Sequence, residues 1–305
     1  MRKIFIETLC DLARHNPRVL LLTGDLGYSV IEPFADQFPK QFFNMGVAEQ
    51  NMVGVATGLA EAGFIPFVYS ISSFAVLRPY EFIRNGPIVH QAKVRIVGVG
   101  GGFDYGPAGV THYALEDIGV LRMQKGIKVI VPCDSPQTKT ALAKTWDLPG
   151  PIYYRISKDD MPGLFDGGQF ELGKINKIRD GSHGVIVAAG AASKEAVLAA
   201  EKLSSSGISL SVVAVSSYNP SPIDDLIPIL KKFPKVFTIE DHYTTNGLGS
   251  FVSEVIAENG ISSQLVRCGV QTMIEGPVGS KTYMNEKFNL SADKLVEIVK
   301  KTLKK

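Results

Sequence analysis

Short runs of apolar residues alternate along the whole chain with segments whose apolar positions recur every three to four residues. In the first half the runs VLLLT (19–23), FIPFVY (64–69), VRIVGV (94–99), KVIVP (128–132) and PIYYR (151–155) read as strands. The helical period between them predicts helices over 2–14, 47–62, 73–90, 114–124 and 135–146. Such alternation calls for a parallel sheet with helices on both faces. The stretch SKDDMPGLFDGGQFELGKINKIRDGSHG (157–184) then breaks the rhythm with Gly, Pro and charge, as a domain junction does. Beyond it the alternation restarts: GVIVAAG, a helix from Ser193, LSVVAV, a helix after Pro222, KVFTIE, a helix from Leu248, and QLVRC. The expected plan is α/β throughout, with one domain over 1–160, a linker over 161–182 and a second, smaller domain over 183–305.

Composition agrees and removes several functions. The 305 residues suit two domains at ~150 residues each. With 32 Lys+Arg against 30 Asp+Glu the net charge is +2, which leaves no basic excess to neutralise a phosphate backbone, so no nucleic-acid partner is expected. Charged residues at 20% and thirty glycines describe a compact, enzyme-like chain and exclude disorder. Cysteines at 10, 133 and 268 form no C-x-x-C pair, so neither a disulfide framework nor a zinc site is expected, and a cytoplasmic setting fits. The opening MRKIFIETLCDLARHN reads as an amphipathic helix, not a signal peptide. The greasiest uncharged stretch, 62–77, contains Pro66 and three serines, so no membrane span is expected.

Three places could carry chemistry. VGVGGGFDYGPAG (97–109) has Gly98 and Gly100 of a dinucleotide fingerprint, but Phe103 stands in the third position and Pro107 follows. It is either a flexible loop or a place where backbone approaches a ligand at the carboxyl end of a strand. Glu49 lies in a helix whose same-face neighbours Met45, Met52, Val53 and Ala56 are apolar. It is either solvated at an edge or buried, and a buried carboxylate can donate a proton to a ring nitrogen or hydrogen-bond it. His112 precedes a predicted helix carrying Glu116 and Asp117 in its first turns. It is either structural or a general base or hydrogen-bond donor.

The ordered motifs GDLGYS (24–29), FFNMGVAEQNMVGVATGLAEAG (42–63), SSFAVLRPYEFIRN (72–85), GPAGVTHYALEDIGVLR (106–122), VIVPCDSPQT (129–138), PIYYRIS (151–157) and TIEDH…GLG (238–249) together resemble the transketolase family. The resemblance covers nearly the whole chain and falls on the pyrimidine-binding and C-terminal domains. It implies two doubly wound, Rossmann-like domains, a parallel-sheet pyrimidine-binding domain followed by a smaller mixed-sheet one. It implies that Glu49 hydrogen-bonds the aminopyrimidine N1′ of thiamine diphosphate and drives deprotonation of C2, and that Phe74 stacks on the pyrimidine between Ile71 and Leu77. Asp25 would lie near the thiazolium. Ser29 and Arg155 would hold a sugar phosphate, and His112 would contact substrate oxygens and move protons.

Two departures narrow this. Where transketolase and deoxyxylulose-phosphate synthase read D-G-P-T-H, this chain reads Ala108-Gly109-Val110-Thr111-His112, without the aspartate that recognises a donor hydroxyl. Gly100 and Gly101 replace basic residues that assist phosphate binding in those enzymes. The G-D-G…Asn motif that holds the diphosphate and Mg²⁺ does not occur in the sequence. The resemblance therefore implies the second subunit of a split enzyme, assembled as α2β2 with an N-terminal subunit carrying that motif. Such an enzyme would transfer a ketol or acyl unit from a sugar or 2-oxoacid to an aldehyde. The alternatives are an E1 β subunit of a 2-oxoacid dehydrogenase, a decarboxylative condensation of the deoxyxylulose-phosphate-synthase type, or a catalytically silent scaffold.

Overall fold

A computed structural model describes residues 1–304. The apolar runs of the first half become β1 (Val19–Thr23), β2 (Phe42–Asn44), β3 (Ile65–Ile71), β4 (Arg95–Val99), β5 (Lys128–Ile130) and β6 (Ile152–Ile156). All of these pair in parallel, and β1, β3, β4 and β6 are buried at every position, which is why their sequences are apolar runs and not alternating ones. The second half adds β7 (Ile175–Arg179), β8 (Gly184–Ala189), β9 (Leu210–Val215), β10 (Ser217–Asn219), β11 (Lys235–Tyr243) and β12 (Gln264–Val270). Five of these six form a sheet of order β12-β11-β8-β9-β7, with β7 antiparallel at its edge.

The strand β10 does not join that sheet. It crosses back and pairs antiparallel with β5, so the first sheet has seven strands in the order β10-β5-β6-β4-β3-β1-β2. The Asn219 side chain secures the crossing by donating to the carbonyls of Arg122 and Gln124 at 3.2 and 3.3 Å. One apolar cluster runs through both halves, from Leu22, Val68 and Ile96 to Val187, Val213 and Leu226. The two-domain α/β plan with a mixed second sheet is thus the one expected from sequence.

Four local expectations are corrected. The segment 73–90 is not one helix. Ser72–Val76 and Tyr80–Ile83 are separate short helices, and Arg84–Ile88 is a π turn containing Pro87, which has no N–H for a regular ladder. The helix expected over 114–124 spans only Asp117–Arg122, because Ala114 exchanges backbone hydrogen bonds with Gly102. The stretch 161–182 is not wholly a linker, since β7 lies in it and pairs with β9. The glycine-rich loop is packed into the protein over its first half, and only its end at Pro107 and Ala108 is exposed. Residues 100–104 are buried, and a Cβ at Gly101, Gly102 or Gly106 would come within 2.5 Å of Arg155, Asp241 or the carbonyl of Gly279. The backbone does make a close approach there, but to the protein itself, at Arg155 of the first domain and at Asp241 and Gly279 of the second.

Helix ends follow local chemistry. Asp134 caps Ser135–Thr145 by accepting the Gln137 N–H at 2.7 Å, with Pro136 in the first turn. The helix Leu248–Glu258 is capped from β11, where Glu240 accepts the N–H groups of Leu248 and Gly249 at 2.6 and 2.7 Å. Cys10, Cys133 and Cys268 are buried and unbridged, and burial pushes the last two thiols up to about 11 and about 12. Among the described residues no helix is long and apolar enough to cross a membrane.

Candidate active site

The carboxyl ends of β1 and β3 meet at Glu49. It is the first residue of the helix Glu49–Glu61, where unpaired N–H groups favour a carboxylate, and Met52, Val53 and Ala56 turn its face inward. The side chain is only 1% exposed. Its Oε1 accepts from Ser70 Oγ at 3.0 Å and its Oε2 from Arg78 Nη1 at 2.8 Å. At the end of β1, Gly24 leaves room for this carboxylate: a Cβ there would lie 3.3 Å from Glu49 Oε1. Of the two readings of Glu49 open from its helix pattern, the structure shows the buried one.

Phe74 stands on the short helix that follows β3, between buried Ile71 and Leu77, which is 42% exposed. The Arg78 guanidinium lies over its ring, 3.8 Å from the centroid. The His112 ring meets the Phe74 ring edge-on at 5.0 Å, and Tyr105 flanks the histidine at 6.1 Å. His112 ends a tight turn that follows Gly109, whose φ of 81° suits glycine, and its Nδ1 is 2.9 Å from Thr111 Oγ1. Glu49, Phe74 and His112 are therefore brought together, the first two joined through Arg78 and the last two ring against ring. Ala108 lies exposed on the neighbouring turn Gly106–Ala108.

Asp25 follows Gly24 on the exposed loop after β1 and adopts φ of 57°, a left-handed conformation uncommon outside glycine. Asn44 donates to its Oδ1 at 2.9 Å and Tyr28 at 3.1 Å, and these hydrogen bonds hold the carboxyl below its ordinary range. Ser29, also left-handed at φ 64°, is exposed on the same loop, where its N–H donates to Glu32 at 2.7 Å. No hydrogen bond among the described residues ties Ser29 to the Glu49 cluster.

Arg155 is not on this surface at all. It is buried at the end of β6, with Nε 2.9 Å from Asp117 Oδ2 and Nη2 donating to the carbonyls of Ala114 and Asp241 at 2.8 and 2.7 Å. Burial opposes its charge, but Asp117 and the other anions around it prevail and hold the guanidinium above its ordinary value. The guanidinium expected to meet a substrate phosphate lies inside the fold. Tyr153 donates to the same Asp117 oxygen at 2.5 Å, and Lys281 pairs with the buried Asp104 nearby, so this end of the sheet is a charged seam between the two halves.

Sequence reasoning missed Arg78 and Ser70, the two groups that hold Glu49. Arg78 carries a signal at four residues beyond Phe74, although the helix ends between them. Ser70 sits in a fully buried strand, where polarity is the exception. Among the described residues no three His, Cys, Asp or Glu side chains gather as a metal site.

Residues 1–163 match the transketolase pyrimidine-binding domain and residues 173–295 the transketolase C-terminal domain. The chain is similar to a putative transketolase C-terminal section of Methanocaldococcus jannaschii, at 36% identity over all of this chain and 96% of that protein. It is also similar to an apulose-4-phosphate transketolase subunit of Phocaeicola vulgatus, at 34% identity over 90% of this chain and 89% of the relative. Among solved structures, a split-gene transketolase described as an inactive beta4 tetramer superposes with a TM-score of 0.88 at 33% identity, covering 99% of this chain and 97% of that one. The chain belongs to the transketolase family, of which it carries the pyrimidine-binding and C-terminal domains.

Proposed function

We propose that this chain is the pyrimidine-domain subunit of a two-subunit, thiamine-diphosphate-dependent transferase that moves a ketol or acyl unit to an aldehyde acceptor. The observation that carries this reading is the pairing of a buried carboxylate, Glu49, with one face of an aromatic ring, Phe74, both within reach of a single planar group. A flat, nitrogen-bearing ring is the kind of ligand that needs both contacts. Gly24, beside the carboxylate, leaves room for it. The relatives named as a C-terminal section and as a transketolase subunit support a partner chain. In this reading that partner would carry the G-D-G…Asn motif, absent from this sequence, and would hold the diphosphate and Mg²⁺.

When bound, thiamine diphosphate supplies a nucleophilic carbon and an electron sink for cleaving a bond next to a carbonyl. This chain's residues would act around it. Glu49 holds the proton at the pyrimidine N1′, Ser70 fixes the carboxylate's orientation, and Phe74 fixes the plane of the ring. His112 Nδ1 is engaged by Thr111, which leaves Nε2 to exchange a proton with a substrate oxygen. Asp25, kept ionised by Asn44 and Tyr28, places a fixed negative charge beside Gly24.

Ala108 narrows the donor. A site that hydrogen-bonds a hydroxyl rejects analogues lacking it, because its own polar group is then left unpaired. A methyl group imposes no such rule, so the donor is a 2-oxoacid or a deoxy or otherwise modified ketose. The test is a donor panel on the enzyme reconstituted with the subunit that carries the missing motif. Turnover of such donors with xylulose 5-phosphate weak is the expected result. A preference for xylulose 5-phosphate over all of them would remove the argument from Ala108, and no thiamine-dependent turnover with any donor would remove the reading itself.

A further inference from the structure

Arg78 makes two contacts that bear on how the site is filled. Its Nη1 donates to Glu49 Oε2 at 2.8 Å, and its Cζ lies 3.8 Å above the Phe74 ring centroid. A planar cation resting on an aromatic face while donating N–H groups to a buried carboxylate uses the same two surfaces that an aminopyrimidine ring would use. The His112 ring stands steeply to Phe74, at 62° between the planes, while the guanidinium covers a face of Phe74. One ring face and one carboxylate oxygen cannot serve both guests.

The two partners differ in freedom. The Glu49 side chain is 1% exposed and Arg78 is 42% exposed. Arg78 sits on the turn between Ser72–Val76 and Tyr80–Ile83, just before Pro79, so its backbone is not part of a continuous helix. Its long side chain can leave toward solvent without disturbing the core, whereas Glu49 cannot move. A lone carboxylate buried at Glu49 would be costly, and the guanidinium offsets that cost.

We propose that Arg78 is a displaceable placeholder for the aminopyrimidine: it covers Phe74 and neutralises Glu49 until the ring enters, then swings out to solvent. This rests on the thiamine reading given above. Such a residue sets specificity as well as access. A guest that only stacks leaves Glu49 uncompensated, and one that only carries phosphates does not reach either surface. Only a flat ring that both stacks and hydrogen-bonds the carboxylate repays the loss of the ion pair.

The proposal predicts opposite signs for two quantities in Arg78→Ala. Thermal melting of this chain alone should fall, because Glu49 loses its partner, and the fall should vanish in a Glu49→Gln background, where no charge needs holding. Thiamine diphosphate titrated calorimetrically into the two-subunit enzyme should bind about tenfold tighter than to wild type, because no contact has to be broken first. Arg78→Lys, which keeps the charge but cannot lie flat on Phe74, should recover most of the melting temperature and fall between the two in affinity. Weaker binding by Arg78→Ala would make Arg78 a ligand of the cofactor and overturn the proposal. Lower melting with unchanged affinity would make it a structural ion pair, which overturns it too. In both cases the thiamine reading survives, whereas failure of wild type and every variant to bind would remove that reading and the placeholder together.

Discussion

Arg155 fills the space beside Gly101 so closely that a Cβ on the glycine would lie 2.5 Å from the guanidinium carbon. The guanidinium cannot swing away cheaply, because Asp117 and the carbonyls of Ala114 and Asp241 hold it in a buried seam. Gly100 is closed as well, since a Cβ there would lie 2.2 Å from the Tyr105 ring and the backbone has φ of 78°. The glycines at 100 and 101 are therefore dictated by packing against Tyr105 and Arg155. The bare backbone at 100 and 101 and the burial of Arg155 go together.

Gly101→Ala should lower stability by about 1–3 kcal/mol, the usual cost of overpacking a filled interior. Chemical denaturation with an unchanged slope checks it. A variant as stable as wild type would mean that Arg155 can reseat without losing Asp117.

Glu49→Gln keeps the shape of the side chain and removes its ability to hold and return a proton. In the two-subunit enzyme, donor turnover should fall by about 10²–10⁴-fold, the range of a lost acid–base group. Circular dichroism and subunit assembly should be unchanged. Proton exchange at the reactive carbon of the bound cofactor reports the same step before any donor is added, and normal exchange in Glu49→Gln would take this residue out of the mechanism.

In the proposed mechanism His112→Ala should reduce kcat far more than it reduces affinity for thiamine diphosphate, because Glu49 and Phe74, not His112, hold the pyrimidine. The comparison of steady-state turnover with calorimetric cofactor binding checks this. An equal loss in both would place His112 in the framework that holds Phe74.

His242 makes the junction sensitive to acid. The buried ring accepts the Gly119 N–H at Nε2, 3.1 Å away, and its Nδ1 lies 2.7 Å from the Tyr243 carbonyl, an arrangement of the neutral form that joins β11 to the first domain. Burial pushes its pKa below the ordinary 6.5. The unfolded chain therefore takes up this proton before the folded one does, and the stabilisation is present above 6.5 and lost as pH falls below it. His242→Gln offers the same acceptor and donor without the titration. The stability of wild type relative to this variant should drop as pH is lowered through that window, by up to about 1.4 kcal/mol per pH unit. A flat difference would show that the ring is charged in both states or in neither.

How much of this was legible depended on whether a feature is local. The strands β1, β3, β4 and β6 announced themselves because burial on both faces leaves few places for polar residues. Glu49 was visible as the acid on an otherwise apolar helical face. The strand β2 is three residues of partial burial, and β10 is three residues whose partner β5 belongs to the other half, so neither has a pattern of its own. The helix expected over 73–90 failed on Pro79 and Pro87, a signal present in the sequence but outweighed by the apolar period. Arg155 shows the limit of matching a residue to a role. Its position in the sequence fits a phosphate ligand, and only the placement of Asp117 across the sheet shows that its charge is already taken.

The crossing of β10 bears on how this protein can be dissected. A fragment cut in the junction would end with β5 as a bare sheet edge, its N–H and C=O groups open to pairing with any other copy. The complementary fragment would carry Ser217–Asn219 as a loose ribbon and lose the apolar cluster that runs through both halves. Domain-by-domain expression should therefore yield aggregates in place of two small soluble proteins, and a recombined chimera should keep Ser217–Asn219 with the sheet it completes. For anyone trading modules between related enzymes, the indivisible unit here is the whole chain.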